Sequence, residues 1–155
     1  MSLRDSLAHD TVETLQVLDP VTVGPDQPIS HAFDLMRARH VGCVIVTEHS
    51  KPIGIFTDRD VLTHVLEEKV RLDTPVVDVM TASPETVDEG STVADVIRRM
   101  HHGGFRHMPT VSEGGLLRGV VSVKRIVAYL VEHFPSAVFN LPPDPGQEQL
   151  TREGA

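Results

Sequence analysis

Cysteine occurs once in the 155 residues, at Cys43, so no disulfide closes within the chain and no two-thiolate zinc or iron–sulfur site forms inside it. Tryptophan is absent, tyrosine occurs once, and five phenylalanines complete a sparse aromatic set. Bases are outnumbered, 14 Lys and Arg against 22 Asp and Glu, for a formal charge of −8. General nucleic-acid binding needs a broad basic surface and stacking platforms, so no nucleic-acid partner is expected, although a local basic pocket is compatible with this balance. No apolar run approaches the roughly 18–20 residues of a membrane span. The longest, Val41-Gly42-Cys43-Val44-Ile45-Val46, is strand-sized, and Met1 to Asp5 lack the apolar core of a signal peptide. The expectation is a soluble cytoplasmic protein with no membrane partner.

Against these absences stands an internal repeat. Asp19-Pro20-Val21-Thr22-Val23 recurs as Ser83-Pro84-Glu85-Thr86-Val87, 64 residues on. Ile29, Ala32, Phe33 and Met36 recur as Val93, Val96, Ile97 and Met100, and the i, i+3, i+4, i+7 spacing makes both copies amphipathic helices. Gly54-Ile55-Phe56-Thr57 recurs as Gly119-Val120-Val121-Ser122, now 65 residues on, so one residue is inserted between Met100 and Gly119. Val61, Leu62, Val65 and Leu66 recur as Ile126, Val127, Leu130 and Val131. Each copy reads strand, helix, strand, strand, helix. Helices are expected over 29–39, 58–67, 92–102 and 123–133.

Neither copy is long enough to bury a comfortable core alone, so the two should pack face to face about a pseudo-twofold axis. The fold class is α+β, two βαββα repeats forming one module. The expected organisation is a leading helix within 1–18, repeat 1 over 19–67, a linker over 68–82, repeat 2 over 83–133 and a Pro-rich tail over 134–155. The tail, with Pro135, Pro142, Pro143, Pro145 and Gly146, should be extended, with Phe139 and Leu141 as its candidate docking residues.

The ordered set of motifs, found twice, resembles a tandem cystathionine-β-synthase (CBS) domain pair, or Bateman module. The resemblance rests on Pro-x-Thr-Val at the front of each copy and Gly-hydrophobic-x-Thr/Ser at its back, where the first copy continues to an Asp. Met80-Thr81 and Arg106-His107-Met108-Pro109 resemble the family too, and the likeness spans residues 19–133. It implies a regulatory module that binds adenine nucleotides between the repeats.

Thr57-Asp58-Arg59-Asp60 joins a strand to a helix. Thr57-x-x-Asp60 is a capping pattern, and Asp near a helix N-terminus is favourable without any ligand. The same carboxylate can accept hydrogen bonds from both hydroxyls of a ribose, with Thr57 adding a contact. Both roles stand, and they can coexist.

The resemblance implies phosphates near the pseudo-twofold axis, met by basic side chains of the opposite repeat. Repeat 2 offers Arg106, His107 and Lys124, matched in repeat 1 by Val41, Gly42 and Arg59. Asp60 is matched by Arg125. The resemblance therefore implies one well-equipped site, built from Ile55, Thr57, Asp60, Arg106, His107 and Lys124, with Pro84, Glu85 and Thr86 beside the adenine. A second, weaker site would have Thr22, Arg59, Ser122 and Arg125 but no carboxylate.

Nine histidines invite a metal reading, but His101-His102 with His107 form the only cluster. Neighbours on a helix point about 100° apart and do not chelate as i, i+4 pairs do. No metal site is expected. Cys43, inside the apolar run, reads as a core thiol, and phosphate-loop and dinucleotide glycine signatures are absent. No catalytic constellation emerges, so the chain is not expected to be an enzyme.

Two functions remain. One is a stand-alone sensor, a homodimer binding AMP, ADP or ATP as a regulatory ligand, as in energy sensing, and passing its state to a regulated protein. The other is a ligand-free dimerisation or docking scaffold. No cofactor is required by either, and residue chemistry does not separate the three nucleotides from S-adenosylmethionine.

Overall fold

The computed structural model describes residues 2–134. Helix α1 (Leu3–His9) is opened by a capping box in which Ser2 and Asp5 satisfy each other's backbone amides. A leading helix running through residue 18 is not observed. The chain turns extended at Asp10, forms a 3₁₀ turn at Val12–Leu15 and leaves it through Gln16 in the left-handed region. The apolar spacing of Val12 and Leu15 belongs to that short turn rather than to a continuous helix.

Repeat 1 then supplies β1 (Thr22–Val23), α2 (Ile29–Arg39), β2 (Cys43–Glu48), β3 (Lys51–Thr57) and α3 (Asp58–Asp60). A second 3₁₀ turn at Val76–Asp78 leads through β4 (Thr81–Ala82) into repeat 2, which supplies β5 (Val87–Asp88), α4 (Val93–Gly103), β6 (His107–Val111), β7 (Leu117–Ser122) and α5 (Val123–His133). One sheet has the order β1-β2-β3-β4 and the other β5-β6-β7. In both, the first pair is parallel and the next is an antiparallel hairpin.

The run of apolar residues in β2 follows from burial on both faces. Val44 and Val46 enter the first core with Phe56, while Cys43 and Ile45 point the other way and meet Ile55 and Val120 at the seam between the sheets. Strand alternation thus feeds two apolar environments instead of one and solvent.

The 3₁₀ turns are exchanged. Val12 and Leu15, ahead of repeat 1, pack in the core of repeat 2 with Val93, Met100 and Tyr129. Val76 and Val79, ahead of repeat 2, pack in the core of repeat 1 with Ile29, Val44 and Phe56. The backbone bonds repeat with the same symmetry. Val12 N–H donates to the Ser91 carbonyl at 2.9 Å and Val93 N–H to that of Asp10 at 2.8 Å. Correspondingly, Val76 N–H donates to the Gln27 carbonyl at 2.8 Å and Ile29 N–H to that of Thr74 at 2.9 Å. Where the chain beyond each turn crosses the partner sheet there is no room for a side chain. A Cβ on Gly54 would lie 2.8 Å from Met80 Cγ, and one on Gly119 would lie 2.7 Å from Val17 Cγ2.

The expected helix over 58–67 changes character. After α3 it continues as a π-helix over Val61–Glu67, whereas α5 is α-helical throughout. In α5, Ile126 and Tyr129 are buried and Tyr129 donates a hydrogen bond to the Asp10 carboxylate. Their counterparts Val61 and His64 are not fully buried, and Val61 packs only at the margin of the first core, so the segment lacks the deep anchors that α5 has. The expected extended tail and the docking of Phe139 and Leu141 lie outside the described residues.

Leu15 is 0% exposed in the core of repeat 2, although the repeat it adjoins in sequence is repeat 1. Leu15→Ala should therefore cost about 2–5 kcal/mol, as a large-to-small core change does. Urea unfolding monitored by far-UV circular dichroism measures this, and a cost below about 0.5 kcal/mol, the surface value, would contradict it.

Candidate functional site

Strand β3 brings Ile55 and Thr57 to the seam between the sheets, and α3 begins at the next residue. Thr57 is the N-cap: its N–H donates to Asp60 Oδ2 at 2.9 Å and its hydroxyl to the same oxygen at 3.2 Å. The Asp60 N–H donates back to Thr57 Oγ1 at 3.3 Å. The capping role of Asp60 is realised in full. Its other oxygen, Oδ1, accepts from the Thr81 hydroxyl of β4 at 3.3 Å. Asp60 is only 9% exposed, yet it lines a cleft.

That cleft has a volume of about 940 Å³, inside the range of roughly 300–1,000 Å³ typical of small-molecule sites. Its apolar lining comes from Phe33 and Met36 of α2, Ile55 of β3, Val61, Leu62 and Phe105. Its charged lining comes from Asp58, Arg59, Asp60 and Arg106, with His107 beside them. Gly104, with φ of 69°, ends α4 in the left-handed region and turns the chain so that Phe105, Arg106 and His107 reach this wall.

Of the expected residues, the cleft brings together Ile55, Thr57, Asp60, Arg106 and His107. Pro84, Glu85, Thr86 and Lys124 are not in its lining. Arg99 claims part of that segment, its Nε donating to the Glu85 carboxylate at 2.7 Å and Nη2 to the Thr86 carbonyl at 2.9 Å. Arg59, expected in the second site, lines the first instead. Asp58 and Thr81 were not singled out as site residues. Thr81 belongs to the Met80-Thr81 pair that carries the family resemblance, and its contact with Asp60, 21 residues away in sequence, and its place in the cleft lining make it part of the site.

The residues expected in the second site are arranged differently. Ser122 caps α5, accepting from the Arg125 N–H at 3.1 Å. The Arg125 side chain turns to the N-terminal segment, its Nε donating to the Leu15 carbonyl at 2.6 Å and Nη2 to Gln16 Oε1 at 3.1 Å. Thr22 is exposed on β1.

The register also corrects the matching of the repeats. Cys43 pairs with Thr57 as His107 pairs with Ser122, and Asp58 N–H bonds the Gly42 carbonyl as Val123 N–H bonds that of Arg106. Gly42 therefore corresponds to Arg106 and Cys43 to His107, in place of Val41 and Gly42. The inserted residue falls in the β6–β7 hairpin, where an extra residue disturbs no core position.

Electrostatics at the seam favour neutral groups. Burial lowers the His107 pKa below its ordinary 6.5, Asp58 opposes that shift and Arg106 reinforces it. Burial pushes the Cys43 thiol up to about 12, and the Asp58 carboxylate adds to the rise. At neutral pH Cys43 is a protonated core thiol rather than a nucleophile.

A family model for the CBS domain matches residues 12–67 and 76–132. The chain belongs to the CBS domain family. Both matches of this CBS pair begin at its exchanged 3₁₀ turns, Val12 and Val76. The chain is 33% identical over 105 residues to the CBS domain-containing protein CBSCBSPB3 of Arabidopsis thaliana, a match covering 67% of this chain and 19% of that protein. It thus spans about a fifth of the length of that relative. Among solved structures, it is similar to a CBS-domain containing protein from Agrobacterium tumefaciens, with 33% identity, a TM-score of 0.70, and coverage of 77% of this chain and 98% of that one. A CBS domain protein from Pyrobaculum aerophilum complexed with AMP shares the fold, with 24% identity, a TM-score of 0.72, and coverage of 79% and 96%. Among the described residues no helix is long and apolar enough to cross a membrane.

The His107 shift has a sign that can be tested. A lowered folded-state pKa means that the unfolded chain binds the proton more readily, so this contribution to stability is complete above pH 6.5 and declines on acidification below it. His107→Gln should flatten unfolding free energy against pH in that window relative to the parent. Denaturant titrations at matched pH values measure the difference, and identical slopes would refute the assignment.

Proposed function

We propose that the CBS pair is a regulatory module that binds an adenine nucleotide in the Asp60 cleft, one per chain. The observation that carries this reading is a nearly buried carboxylate lining a cleft that also holds two guanidinium groups, the second carboxylate of Asp58 and an apolar surface. Asp60 would accept from the ribose, Arg59, Arg106 and His107 would meet the phosphate, and Phe33, Met36, Ile55 and Phe105 would cover the base. Support comes from the AMP carried by the Pyrobaculum protein of the same fold. Lys124 and Pro84–Thr86 have no part in this reading, because the cleft lining does not include them.

The one-site stoichiometry rests on the contrast at a single repeated position. Arg125 stands where a second carboxylate would be needed, and its guanidinium is committed to Leu15 and Gln16. The thiol of Cys43, beside Asp58 and His107 at the seam, is held protonated and takes no nucleophilic part in this reading. ATP and ADP fit the same chemistry with more phosphate, and the regulated partner would read the occupied state.

Calorimetric titration of the full chain with AMP and ATP tests the reading. Charge-assisted hydrogen bonds are worth roughly 1.5–3 kcal/mol, so Asp60→Ala should weaken AMP binding about ten- to a hundredfold. Arg59→Ala and Arg106→Ala should weaken it in a salt-dependent way, and Arg125→Ala much less. Asp60→Asn, which keeps a cap acceptor without the charge, separates ligand loss from helix fraying. Two equivalent sites per chain would sink the one-site reading. The absence of heat and thermal shift with either nucleotide would leave the ligand-free scaffold in its place.

We further propose that the module is a homodimer. Leu62 and Leu66 are 59% and 62% exposed, and their counterparts Val127 and Val131 are 52% and 36% exposed. Both repeats therefore present an apolar stripe on the same helix, a surface suited to isologous pairing. Light scattering at tens of micromolar should give twice the 17.0 kDa chain mass, and the double variant Leu66→Glu, Val127→Glu should give the monomer. A parent protein that scatters as a monomer would remove this proposal.

A further inference from the structure

Asp60 has two oxygens and about four acceptor directions. Oδ2 receives the Thr57 N–H and hydroxyl at 2.9 and 3.2 Å, and Oδ1 receives the Thr81 hydroxyl at 3.3 Å. One direction remains, whereas a ribose diol brings two hydroxyls. One internal donor must therefore yield before both hydroxyls are accepted.

The Thr57 N–H contact is half of the capping box that starts α3, and the Thr57 hydroxyl donates from the oxygen that the Asp60 N–H holds in the cap at 3.3 Å, so Thr57 cannot move away from Oδ2 without fraying the helix. The Thr81 contact belongs to no cap. It comes from an exposed residue on the two-residue strand β4, it is the longest of the three donated to this carboxylate, and rotation about one side-chain bond removes it. Thr81 also lines the cleft itself. In the other half of the molecule both members of the pair are missing together: by strand register Leu18, which bridges Val120 as Thr81 pairs with Ile55, corresponds to Thr81, and Arg125 corresponds to Asp60. A hydroxyl accompanies the carboxylate only where the cleft has one.

We propose that the Thr81 hydroxyl occupies the ribose position of the Asp60 cleft in the free protein and is displaced by one hydroxyl of a 2′,3′ diol. Thr81 thereby sets the affinity of the cleft for ribonucleotides relative to nucleotides with a single sugar hydroxyl, which use the remaining acceptor direction. This inference rests on the reading of the cleft as a nucleotide site. It assigns to Thr81 the role of a specificity residue that weakens binding, opposite in sign to that of Asp60.

The test is calorimetric titration of the full-length parent, Thr81→Val and Thr81→Ser with AMP and 2′-deoxy-AMP, each variant being checked by circular dichroism. Thr81→Val should bind AMP about three- to tenfold more tightly, because the hydroxyl–carboxylate bond, long and therefore weak at 3.3 Å, no longer has to be given up. Its affinity for 2′-deoxy-AMP should equal that of the parent, and Thr81→Ser should restore parental values for both. Thr81→Ala, which adds no methyl group to the cleft, should repeat the sign of Thr81→Val and replaces it if the latter misfolds. AMP binding that is unchanged or weaker in both hydroxyl-free variants would overturn the inference while leaving the nucleotide site standing. An equal gain for both nucleotides would overturn it too, since the sugar hydroxyl would not be what Thr81 opposes. A parent chain that binds neither nucleotide would defeat the nucleotide reading itself, and this inference with it.

Discussion

Val12 and Leu15 complete the interior of the second repeat while Val76 and Val79 complete that of the first, so neither repeat has a closed core without the segment that precedes its partner. A unit of about 60 residues buries too little surface to tolerate an open core, and the exchange makes the two repeats one cooperative structure. It also positions the candidate site. Because Val76 and Val79 are anchored under repeat 1, the chain leaving them must cross β3 at Gly54, and Thr81 arrives beside Asp60. The same crossing in the other half puts Leu18 against Val120 over Gly119. The two glycines are the space through which each exchanged segment passes.

Within this symmetric frame the functional difference is confined to a few side chains on equivalent backbone. Thr57 and Ser122 cap their helices in the same way, and the third helical residue follows at the same distance. A carboxylate there closes a capping box and keeps acceptor capacity beside the cleft. A guanidinium there has nothing to offer the cap and reaches outward to the Leu15 carbonyl, reinforcing the exchanged segment. One half therefore places a carboxylate beside the cleft, where the proposed ligand would meet it, and the other turns a guanidinium to cohesion between the repeats. The backbone is indifferent to the choice, since the cap needs only the Thr or Ser hydroxyl and the Asp60 or Arg125 amide.

Much of this was legible in the residues, and what was not has identifiable physical causes. The helices over 29–39 and 123–133 and both hairpins follow local periodicity, which reports burial of one face. Local periodicity cannot say which core a short segment enters, so Val12 and Leu15 read as part of a leading helix and their place in the partner repeat was hidden. The match of Arg106 to Val41 failed because an insertion in a polar hairpin leaves no trace in the apolar pattern, and only strand register locates it. The cleft was readable at Asp60, where a capping motif coincides with the family pattern. Arg59 is expected near the second site, and its place in the lining of the Asp60 cleft depends on a side-chain direction that residue order does not hold. Thr81 depends on a contact made across the fold.

The last constraint joins the cleft to the exposed stripe. Val61 and Leu62 line the cleft, and Leu62 also belongs to the apolar surface that continues to Leu66. These residues lie in the π-helical segment, whose counterpart in repeat 2 is a regular α-helix pinned by Ile126 and Tyr129. A ligand in the cleft and a partner on the stripe would thus meet in one seven-residue segment, held to the first core by the half-buried Val61 and Val65 and by no fully buried side chain. Coupling between two such sites requires that each favour one arrangement of the shared element, and its strength equals the difference in their affinities for the two arrangements. The first repeat holds both the carboxylate and the weakly anchored helix, whereas the second holds the guanidinium lock and the pinned one. On the proposed reading of the cleft, ligand binding and any rearrangement of this segment would fall on one side of the pseudo-twofold axis, and the other side would be the surface against which the change is read.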